Sequence, residues 1–138
     1  MAHWLVKTEP STYSYEDLAR QGRAVWDGVA NVVALKHLRG MAPGDDVLVY
    51  HTGDVKAAVG LAKVVSAPYP DPKAKDAKLT VVDLEAVRPL ARPVTLAEVK
   101  ADPEFADFAL VRQGRLSVMP VPPALWKRLL ALSVARGV

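Results

Sequence analysis

The sequence predicts an α+β fold, a small and mostly antiparallel β-barrel decorated with short helices. With 138 residues the chain has room for one domain with a continuous core. Strand-like and helix-like stretches alternate along it, and tight turns join several of the strands. Their irregular spacing argues against repeated β-α-β units.

In the first half of the chain, apolar runs predict strands, and capping residues before apolar periodic segments predict helices. Ser14 and Asp17 form a capping box, and Gly40 suits a helix C-terminus. The expected elements are a strand over 3–8, a helix from Ser14 to Gly22, an extended segment over 24–29 that turns at Gly28, a helix over 31–39, a turn over 43–46, and strands over 47–52 and 57–65 joined at Gly53-Asp54.

The second half opens with three prolines and four charged residues between positions 68 and 78, which predict a loop. Thr95 and Glu98 form a second capping box. The other expected elements are a strand over 79–87 closed by Arg88-Pro89, a helical start at Asp102-Pro103, a strand over 115–121, and a terminal helix over 125–135 whose apolar side includes Trp126.

Composition bounds the function. There are 18 Lys and Arg against 15 Asp and Glu, so the net charge of +3 permits an anionic partner without requiring one. The absence of Cys excludes disulfides, thiolate metal sites and cysteine nucleophiles. We find no signal peptide and no apolar stretch long enough to span a membrane, and we expect a cytoplasmic protein without membrane contacts.

No motif predicts a cofactor, a metal or catalysis. The glycine-rich loops that bind dinucleotides or phosphates are missing, as is any H-E-x-x-H sequence. A metal site could be formed by Asp45, Asp46 and His51, but a turn followed by a strand residue explains these residues better. Ser117 and His51 could be drawn as nucleophile and base, but no nucleophile elbow supports that pair. We therefore expect no cofactor and no metal.

The aromatic residues carry the remaining signal, because an aromatic face can stack on a nucleobase. Trp126 has core spacing, and Trp4 fits a buried strand as well as it fits a pocket. Trp26 differs, because it precedes Asp27-Gly28 and is expected to lie between elements, where binding residues are common. Pocket and core remain equally open for Trp26 on this evidence.

A series of motifs resembles the EVE domain family. No single tripeptide is specific, but the order and spacing match from about Trp4 to Leu130. The motifs are W-L-V-K-T-E-P at 4–10, Tyr13-Ser14 with Asp17-Leu18, W-D-G-V at 26–29 with Asn31, Leu38-Arg39 with Met41 and Gly44-Asp45, Y-H-T at 50–52, Gly60, Y-P-D-P at 69–72, V-D-L at 82–84, R-L-S-V-M-P-V at 115–121, and Trp126.

The resemblance implies a PUA-like fold, a curved β-barrel with peripheral helices, related to the YTH domains that hold a methylated adenine in an aromatic cage. It also implies a non-catalytic module that binds nucleic acid carrying a modified base. Modified cytosine in DNA is the first expectation, and modified RNA is the alternative. Protein partners are left unknown.

Matched position by position, the resemblance implies a base-binding pocket. Trp26 would stack on the base, and Lys7 and Thr8 would line the mouth. Asn31 would present its amide to the base edge or position its loop. The Y-H-T segment keeps a hydroxyl where the family has Ser. The other residues implied for the pocket are Tyr50, His51, Thr52, Leu116 and Ser117, with Arg115 at a phosphate.

Simpler structural explanations are also open for some of these residues. Tyr50 could be a core residue with a satisfied hydroxyl, and Arg115 could simply pair with an acidic residue. Two cations usual in the family are also missing here, because Ala30 and the stretch 34–36 (A-L-K) replace them. This predicts a flatter salt dependence of binding.

Two functions of other classes remain open. The chain could be a small enzyme acting on a nucleotide or another small polar ligand, with His51 as acid or base. It could also be an adaptor whose proline-rich loop at 68–78 contacts another protein. A pH–activity profile would support the first, and a stoichiometric copurifying partner the second.

Overall fold

The computed structural model describes residues 2–74, 76 and 78–134. Strands and short helices alternate along them, as predicted. The strands are β1 (His3–Thr8), β2 (Arg23–Trp26), β3 (Asp46–His51), β4 (Ala57–Val64), β5 (Tyr69–Pro70), β6 (Thr80–Thr95) and β7 (Val118–Pro120); the helices are α1 (Tyr15–Gln21), α2 (Val32–Arg39), α3 (Leu96–Ala101), α4 (Ala109–Arg112) and α5 (Pro123–Val134), with a 3-10 turn at Pro103–Phe105.

The strands form one curled sheet in the order β2-β6-β4-β3-β1-β7, and β5 pairs with β6. Only the β1–β3 pair is parallel among the strand pairs of the described residues. The predicted class, α+β with a curved and mostly antiparallel sheet, is confirmed. The edges of this half-barrel are β2 and β7, and α2 packs against both β7 and β6.

The predicted helix caps are confirmed. Ser14 and Asp17 cap α1 reciprocally, and Thr95 and Glu98 do the same for α3. The side chain of Asn31 accepts hydrogen bonds from two backbone N–H groups at the start of α2. These caps satisfy N–H groups that a helix leaves without internal partners, so the sequence locates the helix starts closely.

The strand predicted to close at Arg88-Pro89 continues to Thr95, and this prediction was wrong. Pro89 lies opposite Gly60, between two irregularities in the β4–β6 register, and a bulge tolerates a residue without an N–H. Leu90 and Val94 are buried and hold the second half of β6 against the core.

Three smaller predictions need correction. The loop predicted over 68–78 contains β5, because Tyr69 and Pro70 pair with the start of β6. The strand predicted over 115–121 is confined to β7, and α4 was not predicted at all. The terminal helix begins at Pro123 rather than 125; its predicted last residue, Ala135, lies outside the described residues, as do positions 75 and 77 of the loop.

The core is a continuous apolar cluster that includes Trp4 and Trp126. The Trp4 indole N–H donates to the buried carboxylate of Asp45 (3.0 Å), and the Trp126 ring stacks on His3 with centroids 4.5 Å apart. Both tryptophans are therefore core residues. Within the described ranges, no helix combines the length and apolarity needed to cross a membrane.

Candidate functional site

A cavity of about 680 Å³ opens between β2 and the β1–β7 side of the half-barrel. We call it the aromatic cavity. It forms here because the curled sheet leaves its two edges unpaired. Its lining residues are Lys7, Thr8, Glu9, Thr12, Tyr13, Gln21, Ala24, Val25, Trp26, Asp27, Gly28, Val29, Lys73 and Ser117.

Trp26 and Tyr13 form an aromatic corner in this cavity. Their rings meet edge to face, with centroids 6.1 Å apart and planes at 78°. Trp26 was expected between elements, but it is the last residue of β2 and pairs with Val82, which leaves it 6% exposed. It thus belongs to the apolar core cluster and also forms a buried wall of the cavity. The Tyr13 hydroxyl donates to Gln21 Oε1 (2.5 Å), which fixes the second ring.

The mouth of the cavity is held by backbone contacts. The Lys7 N–H donates to the Ser117 carbonyl (2.9 Å) and ties the segment before β7 to β1. The Thr8 hydroxyl donates to the Tyr13 carbonyl (2.6 Å), which leaves its oxygen free to accept. The Ser117 hydroxyl makes no hydrogen bond within the described part of the chain, so it can serve a ligand.

Charges of both signs line the aromatic cavity. Lys73 supplies a cation, and Glu9 and Asp27 supply carboxylates. Lys7 also lines the cavity, but its Nζ donates to the Gly114 carbonyl outside it. Hydrogen bonds from the Ser11 side chain and backbone lower the pKa of Glu9, so this carboxylate is ionised at neutral pH. Carboxylates accept hydrogen bonds from exocyclic amines, such as the amine of cytosine. The cavity therefore offers an apolar corner with both donors and acceptors at its rim.

Tyr50 and Thr52 lie in a different, smaller cavity of about 200 Å³, which we call the lysine cavity. Lys7 lines both cavities. The structure thus does not bring Tyr50 and Thr52 to Trp26, because Lys7 and Thr8 on β1 separate them. The residues lining the lysine cavity are Lys7, Tyr50, Thr52, Gly53, Lys56, Leu96, Lys100, Leu110, Val111 and Gly114.

His51 and Asn31 make structural contacts. His51 is 5% exposed, and its Nε2 accepts the N–H of Tyr15 (2.9 Å) at the start of α1. Burial lowers the pKa of His51, which favours the neutral ring that this bond needs. The Asn31 oxygen accepts from Val33 and Ala34 N–H, so this residue positions its loop. Neither residue lines the aromatic cavity.

Leu116 and Arg115 also stand apart from the aromatic cavity. Leu116 is buried in the core, and its backbone N–H donates to Gln113. Arg115 is exposed and forms no ion pair with any described residue. It remains available to an external anion.

The metal and catalytic alternatives find no geometric support. No group of three potential ligands occurs among the residues that the structure describes. Asp45 instead accepts hydrogen bonds from Ala2, Trp4 and Ala42, and Asp46 lies 3.4 Å from His3. Ser117 lines the aromatic cavity, whereas His51 lines neither the aromatic cavity nor the lysine cavity.

Sequence reasoning assigned four of the fourteen lining residues of the aromatic cavity; those it missed include Tyr13, Glu9, Asp27 and Lys73. Tyr13 had a usable signal, because it directly precedes the cap of α1 and an apolar residue there often packs against the helix. Lys73 had none, since its place depends on how the loop after β5 folds back. A third cavity, lined by His3, Trp4, Phe108 and Leu125 among others, is mostly apolar and contains no predicted site residue.

Comparison with known proteins adds to this geometry. The model of the EVE domain matches residues 2–132. Thymocyte nuclear protein 1 from Homo sapiens is 30% identical in an alignment covering 87% of this chain and 68% of that protein. A protein from Rhodopseudomonas palustris, solved by NMR, is 40% identical with a TM-score of 0.91, covering 99% of this chain and 97% of its own.

Two further structures bear on the fold and on ligands. The crystal structure of human THYN1 protein in complex with 5-methylcytosine-containing DNA has a TM-score of 0.90 at 29% identity, covering 99% of both chains. An ASCH protein from Zymomonas mobilis has a TM-score of 0.60 at 12% identity, covering 95% of both chains. The second likeness concerns the fold alone, and it agrees with the PUA-like architecture expected above.

Proposed function

The chain belongs to the EVE domain family, and we propose that it is a non-catalytic module that binds nucleic acid through a modified base held in the aromatic cavity. The observation that carries this proposal is the aromatic corner of Trp26 and Tyr13 in an open cavity rimmed by hydrogen-bonding groups. A flat heterocycle gains about 1–3 kcal/mol from one aromatic contact of this kind.

The dimensions and polarity of the cavity suit a flipped-out or single-stranded base. A base inside a duplex exposes only its edges, so its faces become available only once it leaves the stack. In the cavity, the aromatic corner would take the ring and any methyl group. Ser117 and Thr8 would meet polar atoms of the base, and the Asp27 carboxylate would accept from an exocyclic amine.

The first ligand to test is 5-methylcytosine in DNA, because the human THYN1 structure contains DNA with that base. The cavity residues of this chain are compatible with it, since a methyl group suits the aromatic corner and carboxylates suit the cytosine amine. RNA with the same modification is the second ligand. A single-stranded 5-methylcytosine oligonucleotide of each sugar type, with an unmodified twin, separates these cases.

We propose binding without catalysis, because the enzyme alternative requires His51 to reach a substrate. Its Nε2 already accepts a hydrogen bond from Tyr15, and the residue lines neither the aromatic cavity nor the lysine cavity. No observation supports the adaptor alternative, in which the 68–78 segment contacts another protein. Part of that segment, β5, pairs with β6, and Lys73 lines the aromatic cavity.

Fluorescence anisotropy with the four oligonucleotides tests the proposal, using Trp26→Phe against wild type. We expect modified DNA to bind more tightly than its unmodified twin. Loss of the indole should cost about 1 kcal/mol, or about fivefold in affinity for the modified strand. Ser117→Ala should weaken binding less, since it removes one neutral hydrogen bond.

Trp126→Phe is the matched control, because it makes the same change at an equally buried tryptophan outside the cavity. Its affinity should stay at the wild-type value. Equal affinities of wild type for modified and unmodified strands, or equal losses in Trp26→Phe and Trp126→Phe, would overturn the proposal. If modified RNA binds more strongly than modified DNA, the aromatic cavity remains the proposed base-binding site, and RNA replaces DNA as the proposed ligand.

A further inference from the structure

The lysine cavity concentrates positive charge that no ion pair among the described residues neutralises. Lys7, Lys56 and Lys100 line it, and none of its lining residues is acidic. None of the three lysines forms an ion pair within the described part of the chain. The Glu9 carboxylate lies over Gly53 at the rim. Three unpaired cations around about 200 Å³ favour an anionic occupant.

Tyr50 is a second and independent indication of a ligand. It is only 3% exposed, and it lines the lysine cavity. Its hydroxyl forms no hydrogen bond with any described residue, and it is not fully enclosed, because among these residues His3 Nδ1 is the one enclosed side-chain polar atom without a partner. The hydroxyl can therefore donate to a molecule in the lysine cavity. Burial raises the pKa of Tyr50, so the phenol keeps its proton and acts as a donor. A donor of this kind suits an oxyanion.

The cavity is held in place by its backbone. Lys56 has a φ of +48°, unusual for a residue with a side chain, and its carbonyl accepts the N–H of Leu96 (2.8 Å) at the start of α3. Lys100 follows on the same helix. Lys7 Nζ donates to the Gly114 carbonyl (2.9 Å) and lies 5.7 Å from the centre of the Tyr50 ring. Strain at a binding residue is a common feature of functional sites.

We propose that the lysine cavity binds a backbone phosphate of the same strand whose modified base occupies the aromatic cavity. The link is Lys7, which lines both cavities and so places the two binding positions side by side. The inference rests on the proposed function for the identity of the ligand. Phosphate contacts position a strand without reading its sequence, and this site would fix the register of the base.

The variant that tests the site is the double substitution Lys56→Gln with Lys100→Gln, which leaves Lys7 and the aromatic cavity unchanged. The control is Lys63→Gln with Lys127→Gln, which removes the same charge from exposed positions outside the aromatic and lysine cavities. Affinity for the single-stranded 5-methylcytosine oligonucleotide and for its unmodified twin is measured from 50 to 300 mM salt.

We expect the test variant to lose affinity for both oligonucleotides several-fold at the lowest salt. The slope of log affinity against log salt should become shallower by about 0.7 for one lost phosphate contact, whereas the control should keep the wild-type slope. Tyr50→Phe removes only the phenolic donor and should lower the affinity for both oligonucleotides to a smaller degree. Thermal unfolding of each variant checks that it is folded.

The free nucleoside 5-methyl-2′-deoxycytidine separates this site from the base site, since it has no phosphate. Its affinity should be unchanged in the test variant. An unchanged salt slope, or a loss of nucleoside binding equal to the loss with the oligonucleotide, would overturn the phosphate site. Wild type could show no preference for the modified base while the test variant still has a shallower salt slope than wild type with the unmodified strand. In that case the base proposal fails and the phosphate site stands.

Discussion

Gly60→Ala tests how α1, which carries one wall of the aromatic cavity, is docked on the sheet. A Cβ at Gly60 would lie 2.4 Å from ring atoms of Tyr15, the first residue of α1. The Tyr15 ring is buried, and its hydroxyl donates to the Leu61 carbonyl (2.7 Å), so the ring cannot simply swing away. Either α1 or the strand must therefore shift; Tyr13 lies just before α1, and Gln21 is its last residue.

Overpacking of this kind costs about 1–3 kcal/mol of unfolding free energy. For a chain of this length, about 3 °C of melting temperature corresponds to 1 kcal/mol, so the midpoint should fall by about 3–9 °C. Differential scanning calorimetry measures the midpoint. Anisotropy with the modified oligonucleotide should also show weaker binding, because the aromatic corner moves with α1.

Gly114→Ala is the control, since a Cβ there meets nothing within 4 Å. It should leave the midpoint unchanged or slightly raised. In the double variant with Tyr15→Ala, the Gly60→Ala substitution should add almost no further loss, because the clashing ring is gone. A Gly60→Ala protein as stable as wild type, or an equal loss in Gly114→Ala, would refute this account of the contact.

Two further predictions concern buried polar groups. Burial lowers the pKa of His51, so between that lowered pKa and the ordinary 6.5 the unfolded chain binds more protons than the folded one. The unfolding free energy should therefore fall as pH drops below about 6.5, and it should fall less in His51→Gln. Denaturant titrations at pH 7.5 and 5 measure the loss in each protein, and equal losses in wild type and His51→Gln would contradict this prediction. Asp45→Asn should lose about 1–3 kcal/mol, because the buried Asp45 carboxylate accepts three N–H groups and an amide presents donors to some of them. Chemical denaturation of this variant beside Asp54→Asn at an exposed turn measures the difference, and similar midpoints would disprove the role of Asp45.

The starts of α1, α2 and α3 could be predicted from the sequence because their causes are local, whereas α4, which has no side-chain cap, was not predicted. Ser14 with Asp17, Thr95 with Glu98, and Asn31 each satisfy N–H groups within three residues of themselves. Most strands were also predicted from a local feature, the runs of apolar residues. The course of β6 through Pro89 was not, because it depends on a bulge opposite Gly60 on another strand.

The candidate site was only partly predictable, because the curl of the sheet decides which residues meet. Motif resemblance pointed to Lys7, Thr8, Trp26 and Ser117, and the aromatic cavity contains all four. The same resemblance grouped Tyr50 and Thr52 with them. In the β1–β3 register Tyr50 lies beside Lys7, and it lines a separate cavity. The residues that the resemblance assigned to one pocket thus line two separate cavities.

The central claim is that the modified base lies against Trp26, and nuclear magnetic resonance can test it directly. The chain has three tryptophans, and each indole N–H gives its own signal. Trp4 is bonded to Asp45 and Trp126 is stacked on His3, both away from the aromatic cavity. On titration with 5-methyl-2′-deoxycytidine, we predict that the Trp26 signal shifts and shows contacts to the methyl group, while the other two stay in place. Shifts confined to Trp4 or Trp126, or none at saturating nucleoside, would contradict the claim.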